Sequence, residues 1–135
     1  MPDSRRTILG QRGEELAARY LQETGYRIVE RNYRNRYGEI DIIAQERART
    51  AFFTVSKTLV FVEVKTRKDD RFSHPAEAVT ARKQLQICRV AMEYLAQNNL
   101  TEAAARFDVV AILCPDDGPP RLEHLRNAFD VSGGF

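Results

Sequence analysis

The chain lacks any apolar run of the length needed to span a bilayer. Its first residues, Met1-Pro2-Asp3-Ser4-Arg5-Arg6, carry two arginines but no apolar segment after them, so a secretory signal is not expected. Cysteine is scarce. Cys88 and Cys114 stand far apart within apolar patterns and lack metal-ligand spacing, so both read as reduced, buried thiols of a cytoplasmic protein; a disulfide needs helix and strand to juxtapose them. Charge of one sign is also missing. A formal net charge of +2 does not by itself point to nucleic acid, so any such case has to come from local basic patches. Repeats, linkers and low-complexity segments are absent. What remains is 135 residues, 43% hydrophobic and 30% charged, which suits one soluble globular domain over 1–135 with a flexible start at 1–6.

Val60-Phe61-Val62-Glu63-Val64-Lys65-Thr66-Arg67 reads as a buried strand interrupted by an acid and an amine. Strand side chains alternate between faces, so Val60, Val62 and Val64 share one face and Phe61, Glu63 and Lys65 the other. Buried charges need partners. Glu63 and Lys65 can form a structural ion pair, or they can hold a cation and a polar substrate at one spot. Other acids decide between these readings only if they converge there.

Residues 7–24 read as an amphipathic helix whose apolar arc includes Glu14, with Glu15 in solvent and Gly25 as the stop. Tyr26 to Arg34 is a first strand and Asn35 to Gly38 a turn. The second strand, Gly38 to Gln45, places Glu39, Asp41 and Ile43 on one face and Ile40 and Ile42 on the other. Residues 46–57 read either as a loop or as an extended hairpin, with strand character over Ala51 to Val55. Thr58 to Thr66 is the third strand. A helix is expected from Pro75 or Ala76 to Asn98, burying Val79, Lys83, Ile87, Val90, Ala91, Tyr94 and Leu95, with Lys83 and Gln84 directed toward the acids. Arg106 to Cys114 is a fourth strand; Leu122 to Leu125 fits a last strand or a short helix. The fold class is α/β, a mixed central sheet flanked by helices in the order α-β-β-β-α-β-β.

Gly38-Glu39-Ile40-Asp41 followed by Glu63-Val64-Lys65, with Glu14 on a preceding helix, resembles the active-site pattern of the PD-(D/E)xK nucleases. These share the restriction-endonuclease-like core and include the archaeal Holliday-junction resolvases. More closely, the chain resembles the YraN-like family of small bacterial proteins. That resemblance runs through Gly13-Glu14-Glu15, Gly25-Tyr26, Arg31-Asn32-Tyr33-Arg34, Gly38 to Asp41, Phe61 to Arg67, Glu77-Ala78-Val79, Lys83-Gln84 and Arg106-Phe107-Asp108. It implies a metal-dependent endonuclease or a nuclease-like DNA-processing protein. Phosphodiester hydrolysis needs an activated water and neutralised phosphate charge, which Mg²⁺ supplies, with Mn²⁺ as substitute. Asp41, Glu63 and the Val64 carbonyl are the expected metal ligands. Lys65 orients the water or stabilises charge, Glu14 is an outer ligand, and Glu39 is a spare one. Lys83 or Gln84 positions the scissile phosphate; Arg34, Arg36 and Arg67 contact the nucleic-acid backbone. The partner is nucleic acid, by preference DNA, not a membrane, and a homodimer would match the resolvases.

Plainer readings stand beside these. The chain could be a non-catalytic nucleic-acid-binding module, or an adaptor whose acids only staple the sheet. Glu14 could cap its helix or pair with Arg31, and Lys83 could snorkel to solvent. His74 and His124 read as loop or packing histidines, and Asp108 as a partner of Arg106 or Lys83. The Arg-rich stretch 27–36 could be a solvated strand face. Asp41 and Glu63 are 63 − 41 = 22 positions apart, longer than a compact hairpin. A lengthened hairpin keeps the acids together; a one-residue register slip turns Asp41 to the wrong face.

Overall fold

A strand that is apolar at consecutive positions has to be covered on both faces, and the third strand is covered by a helix on each side. The computed structural model describes residues 7–49, 51–69 and 79–130. The elements are α1 (Ile8–Glu23), β1 (Arg27–Asn35), β2 (Gly38–Arg49), β3 (Val55–Arg67), α2 (Ala81–Gln97), β4 (Ala104–Leu113) and β5 (Arg121–Phe129). This is the expected order, and the last element is a strand. The sheet runs β1-β2-β3-β4-β5. Only β3 and β4 are parallel, and the chain between them contains α2, the crossover that a parallel pair requires. On the α1 side, Val60 and Val62 pack with Ala17, Leu21, Val110 and Ile112. On the α2 side, Phe61 packs with Ile87, Ala91, Tyr94 and Phe107. Cys88 and Cys114 are buried free thiols.

Thr7 caps α1 by accepting the Gly10 N–H at 2.9 Å. Gly25 follows the helix with φ +97, as a helix stop should. Gly13 lets α1 approach β3 closely: a Cβ there would stand 2.0 Å from Thr66 Oγ1. The second helix begins later than expected. Thr80 is extended and caps it by accepting the Lys83 N–H, so helical structure starts at Ala81 and not at Pro75 or Ala76. Val79 is buried but lies outside the helix. Residues 1–6, most of the expected loop to His74, and Pro75 to Ala78 fall outside the described residues.

The segment after Gln45 extends the hairpin. The β2–β3 register is unbroken from Ile42↔Val62 to Arg49↔Val55, so no slip separates the acids. Ala51 to Thr54 form the tip and not a strand, with Phe52 and Phe53 fully in solvent and Phe53 at φ +61. The expected face pattern of β2 fails at one point. Ile42 packs under α1, but Ile40 joins Ile43 in the layer under α2. The β2–β3 ladder ends at Ile42, and Asn32, across from Asp41 in the β1–β2 register, has φ +54. Both strands therefore turn at this level, and Asp41 is released from simple alternation.

Candidate functional site

Where β2 leaves the ladder, its backbone no longer satisfies β3, and Asp41 takes over. Its Oδ2 accepts the Val64 N–H at 2.8 Å. This ties the second strand to the third beside Glu63 and opens a cleft of about 680 Å³ between the β1–β2 turn, the end of β3 and the first turns of both helices. Glu14, Arg34, Arg36, Glu39, Asp41, Glu63, Val64, Lys65 and Lys83 line it. These residues, far apart in the chain, are thus brought together.

Glu14, Glu39 and Asp41 each offer a carboxylate oxygen within 4.8 Å of the others. Burial raises the proton affinity of Asp41 above the usual carboxylate range. Its hydrogen bonds to Val64 N–H and Glu14 and the Lys83 charge act against that shift without cancelling it, while Glu39 adds to it. Glu63 is 9% exposed, and burial with the Asp41 charge pushes its carboxyl up to about 7. The ammonium groups of Lys83 and Lys65 oppose this, the latter 3.9 Å from Glu63 Oε1, but two partly solvated cations do not outweigh desolvation. Glu39 accepts from Arg34 Nη2 at 2.7 Å. The site is therefore short of positive charge at its centre. Its donors are hard oxygens, the kind that Mg²⁺ and Mn²⁺ take and that thiolate-seeking metals do not. Asp41, with Glu14 and Glu39 beside it and Glu63 next to it, is the set that could hold such an ion.

Arg36 reaches Glu93 at 3.4 Å and stacks over Tyr37. Gln84 turns away from the cleft and donates to the Val79 carbonyl at 3.0 Å; Arg67 lies beyond Thr66, outside the lining. Arg31 pairs with the exposed Glu15 and not with Glu14. Gln86 and Tyr37 line the cleft, although the sequence pattern did not single them out. Gln86 falls one helical turn after Arg82–Lys83, which is the only signal that could have found it.

Asp108 and His124 belong to a different cluster. Asp108 is fully buried, accepts two hydrogen bonds from Arg106, and is joined by His124 Nε2 at 2.8 Å and the Asn127 N–H at 2.9 Å. Despite burial, these bonds hold its carboxyl below the usual range. Arg106 also donates to Glu46 and to the Tyr26 hydroxyl, and Tyr20 closes the network on His124 Nδ1. Every charge here is matched, so the cluster reads as a staple of β4, β5 and α1.

The model of the uncharacterised protein family UPF0102 matches residues 13–112. A UPF0102 protein of Pelobacter propionicus is 47% identical over 131 residues, covering 97% of this chain and 87% of the relative. One from Geotalea daltonii is 48% identical over 124 residues, 92% of this chain and 91% of the relative. A third, from Rhodococcus jostii, is 49% identical over 121 residues, 90% and 95% respectively.

Proposed function

The chain belongs to the uncharacterised protein family UPF0102, and within that family we propose that it is a Mg²⁺-dependent nuclease or nuclease-like protein acting on phosphodiesters of DNA. One observation carries the reading: Asp41 and Glu63, both buried and both raised in proton affinity, share a cleft with Lys65 and Lys83. The resemblance to the PD-(D/E)xK pattern agrees with it. Asp41 and Glu63 hold the ion with the Val64 carbonyl, and Glu14 and Glu39 complete its surroundings directly or through water. When bound, the ion activates water and neutralises phosphate charge. Lys65 orients the attacking water and stabilises developing charge. Lys83 binds the scissile phosphate, and Arg34 and Arg36 contact the strand at the cleft mouth.

Two measurements test this. Calorimetric titration of Mn²⁺ and Mg²⁺ should show saturable binding that Asp41→Asn abolishes, with a melting temperature that rises on metal addition only in the wild type. Linear, nicked and branched DNA should be cut in either metal, and Lys65→Ala should lower turnover by about 10²–10³-fold. Protein that binds no divalent ion, even with branched DNA present, and cuts no DNA form overturns the proposal. Salt-dependent DNA binding that survives Asp41→Ala, without cleavage, would point to a binding module. Loss of stability in Glu63→Ala with no metal effect would point to a structural staple.

No helix among the described residues is long and apolar enough to cross a membrane. The assignment to the cytoplasm, and a homodimer on a branched substrate, belong to the same proposal. Sedimentation with and without DNA tests the dimer.

A further inference from the structure

The acid cleft does not end at the acids. Tyr37, in the β1–β2 turn, lines it together with Arg36, Lys83 and Gln86. The same Tyr37 lines a depression of about 480 Å³ with Arg82, Leu85 and Arg89, and another of about 520 Å³ with Arg89 and Met92. Three hollows that share one side chain form a continuous groove. It leads out of the cleft, passes Tyr37 and follows the outer face of α2. Leu85, Arg89 and Met92 recur at helical spacing, so they form one stripe along its floor.

This groove is built to present its ring. Gln86 Nε2 donates to the Tyr37 carbonyl at 3.1 Å, Asn35 Oδ1 accepts the Tyr37 N–H at 3.0 Å, and Asn35 Nδ2 donates to the Val90 carbonyl at 3.1 Å. Gly38 follows with φ +144, and a Cβ there would lie 2.8 Å from Gln86 Nε2, so only glycine lets the turn sit this close to α2. The Arg36 guanidinium stacks over the ring at 4.9 Å. Apolar surface is left in water along the path: Tyr37 is 38% exposed, Leu85 46% and Met92 47%. Its charge is of one sign, with Arg36, Arg82, Lys83 and Arg89 against Glu93 alone, which pairs with Arg36.

Cations along a groove suit phosphates, and an exposed ring with aliphatic neighbours suits base faces. A duplex hides its base faces; a single strand offers them. We infer that this groove binds a single-stranded nucleic-acid segment running out of the acid cleft, with Tyr37 as a stacking platform and Arg82 and Arg89 on its phosphates. The inference rests on the nucleic-acid reading of the cleft and specifies its substrate: DNA or RNA with an unpaired stretch beside the bond to be cut.

The test is fluorescence anisotropy with a labelled oligothymidylate and with a blunt duplex, in EDTA, so that binding is read without cleavage. Tyr37→Ala should weaken oligothymidylate binding about tenfold and leave duplex binding unchanged, while Tyr37→Phe should retain it. The Arg82→Ala/Arg89→Ala double variant should weaken binding and flatten its salt dependence by a slope of about 1. Tyr37 uses only its backbone to pin the turn, so melting curves should show Tyr37→Ala folded. Equal binding by wild type and Tyr37→Ala overturns the inference, and so does binding of duplex alone or of no nucleic acid. Metal-dependent cleavage is scored separately. Duplex cleavage indifferent to Tyr37 removes the groove and keeps the nuclease; Tyr37-dependent binding without metal or cleavage does the reverse.

Discussion

Asp41 joins two demands in one side chain: it closes a backbone ladder and it crowds a second carboxyl. The crowding has a measurable sign. Glu63 has its folded carboxyl raised from 4.5 to about 7, and that of Asp41 moves in the same direction. Metal-free protein therefore binds these protons more tightly folded than unfolded, so their contribution to stability is full below about pH 4.5 and is lost as pH rises toward 7. At about 1.4 kcal/mol per pH unit, Glu63 alone accounts for on the order of 3 kcal/mol. Urea melts of metal-free wild type should show this decline, and Glu63→Gln should flatten it. Asp108 and Glu46 are lowered, so their stabilisation is lost only as pH falls through the acid range, outside that window. Asp108→Asn leaves Arg106 buried without its charge partner and should cost about 3–5 kcal/mol in the same melts. Gly13→Ala forces α1 off Thr66 and should cost about 1–3 kcal/mol, partly restored by Thr66→Ala. The acids and lysines of the cleft were legible because their strand periodicity put charge where apolar residues belong. The pairing of Arg106 with Asp108 was legible too. The Glu46, Tyr26, Tyr20 and His124 partners were not, because they meet only through pairings between strands distant in the chain.

At the scale of elements, hydrophobic periodicity located both helices and all five strands, and the errors sit where a single residue overrides it. Asn32 takes a left-handed φ that asparagine tolerates, and with it the alternation of β1 and β2 breaks at Asp41. Thr80, a cap residue, starts α2 later than Pro75 suggested. Ala51 to Val55 has strand-forming composition, but Phe52 and Phe53 find no layer to pack on and make the hairpin tip. Since the register is uniform up to Arg49↔Val55, the outer hairpin does not set the position of the acids. Replacing Ala48–Ser56 by Asn-Gly between Arg47 and Lys57 should leave stability within about 0.5 kcal/mol, as read by urea melts, and leave Mn²⁺ titration unchanged.

For the whole molecule, each strand pairs with its neighbour in the chain, and one parallel junction, bridged through α2, is the sole departure from a meander among the described residues. That simplicity made the architecture readable. The depth of the cleft was not readable, since it depends on how closely both helices approach the end of β3. The same sheet order bears on synthesis. As the chain leaves the ribosome, β2 meets a finished β1 and β3 meets a finished β2. Glu14, Glu39, Asp41, Glu63 and Lys65 have all emerged before α2 has been made. A nascent chain at that stage carries its acids on strands whose α2 face is still bare, with Phe61 and Ile43 in water. The second half of translation then covers that face, which makes the arrival of α2 the step at which aggregation of the growing chain is averted.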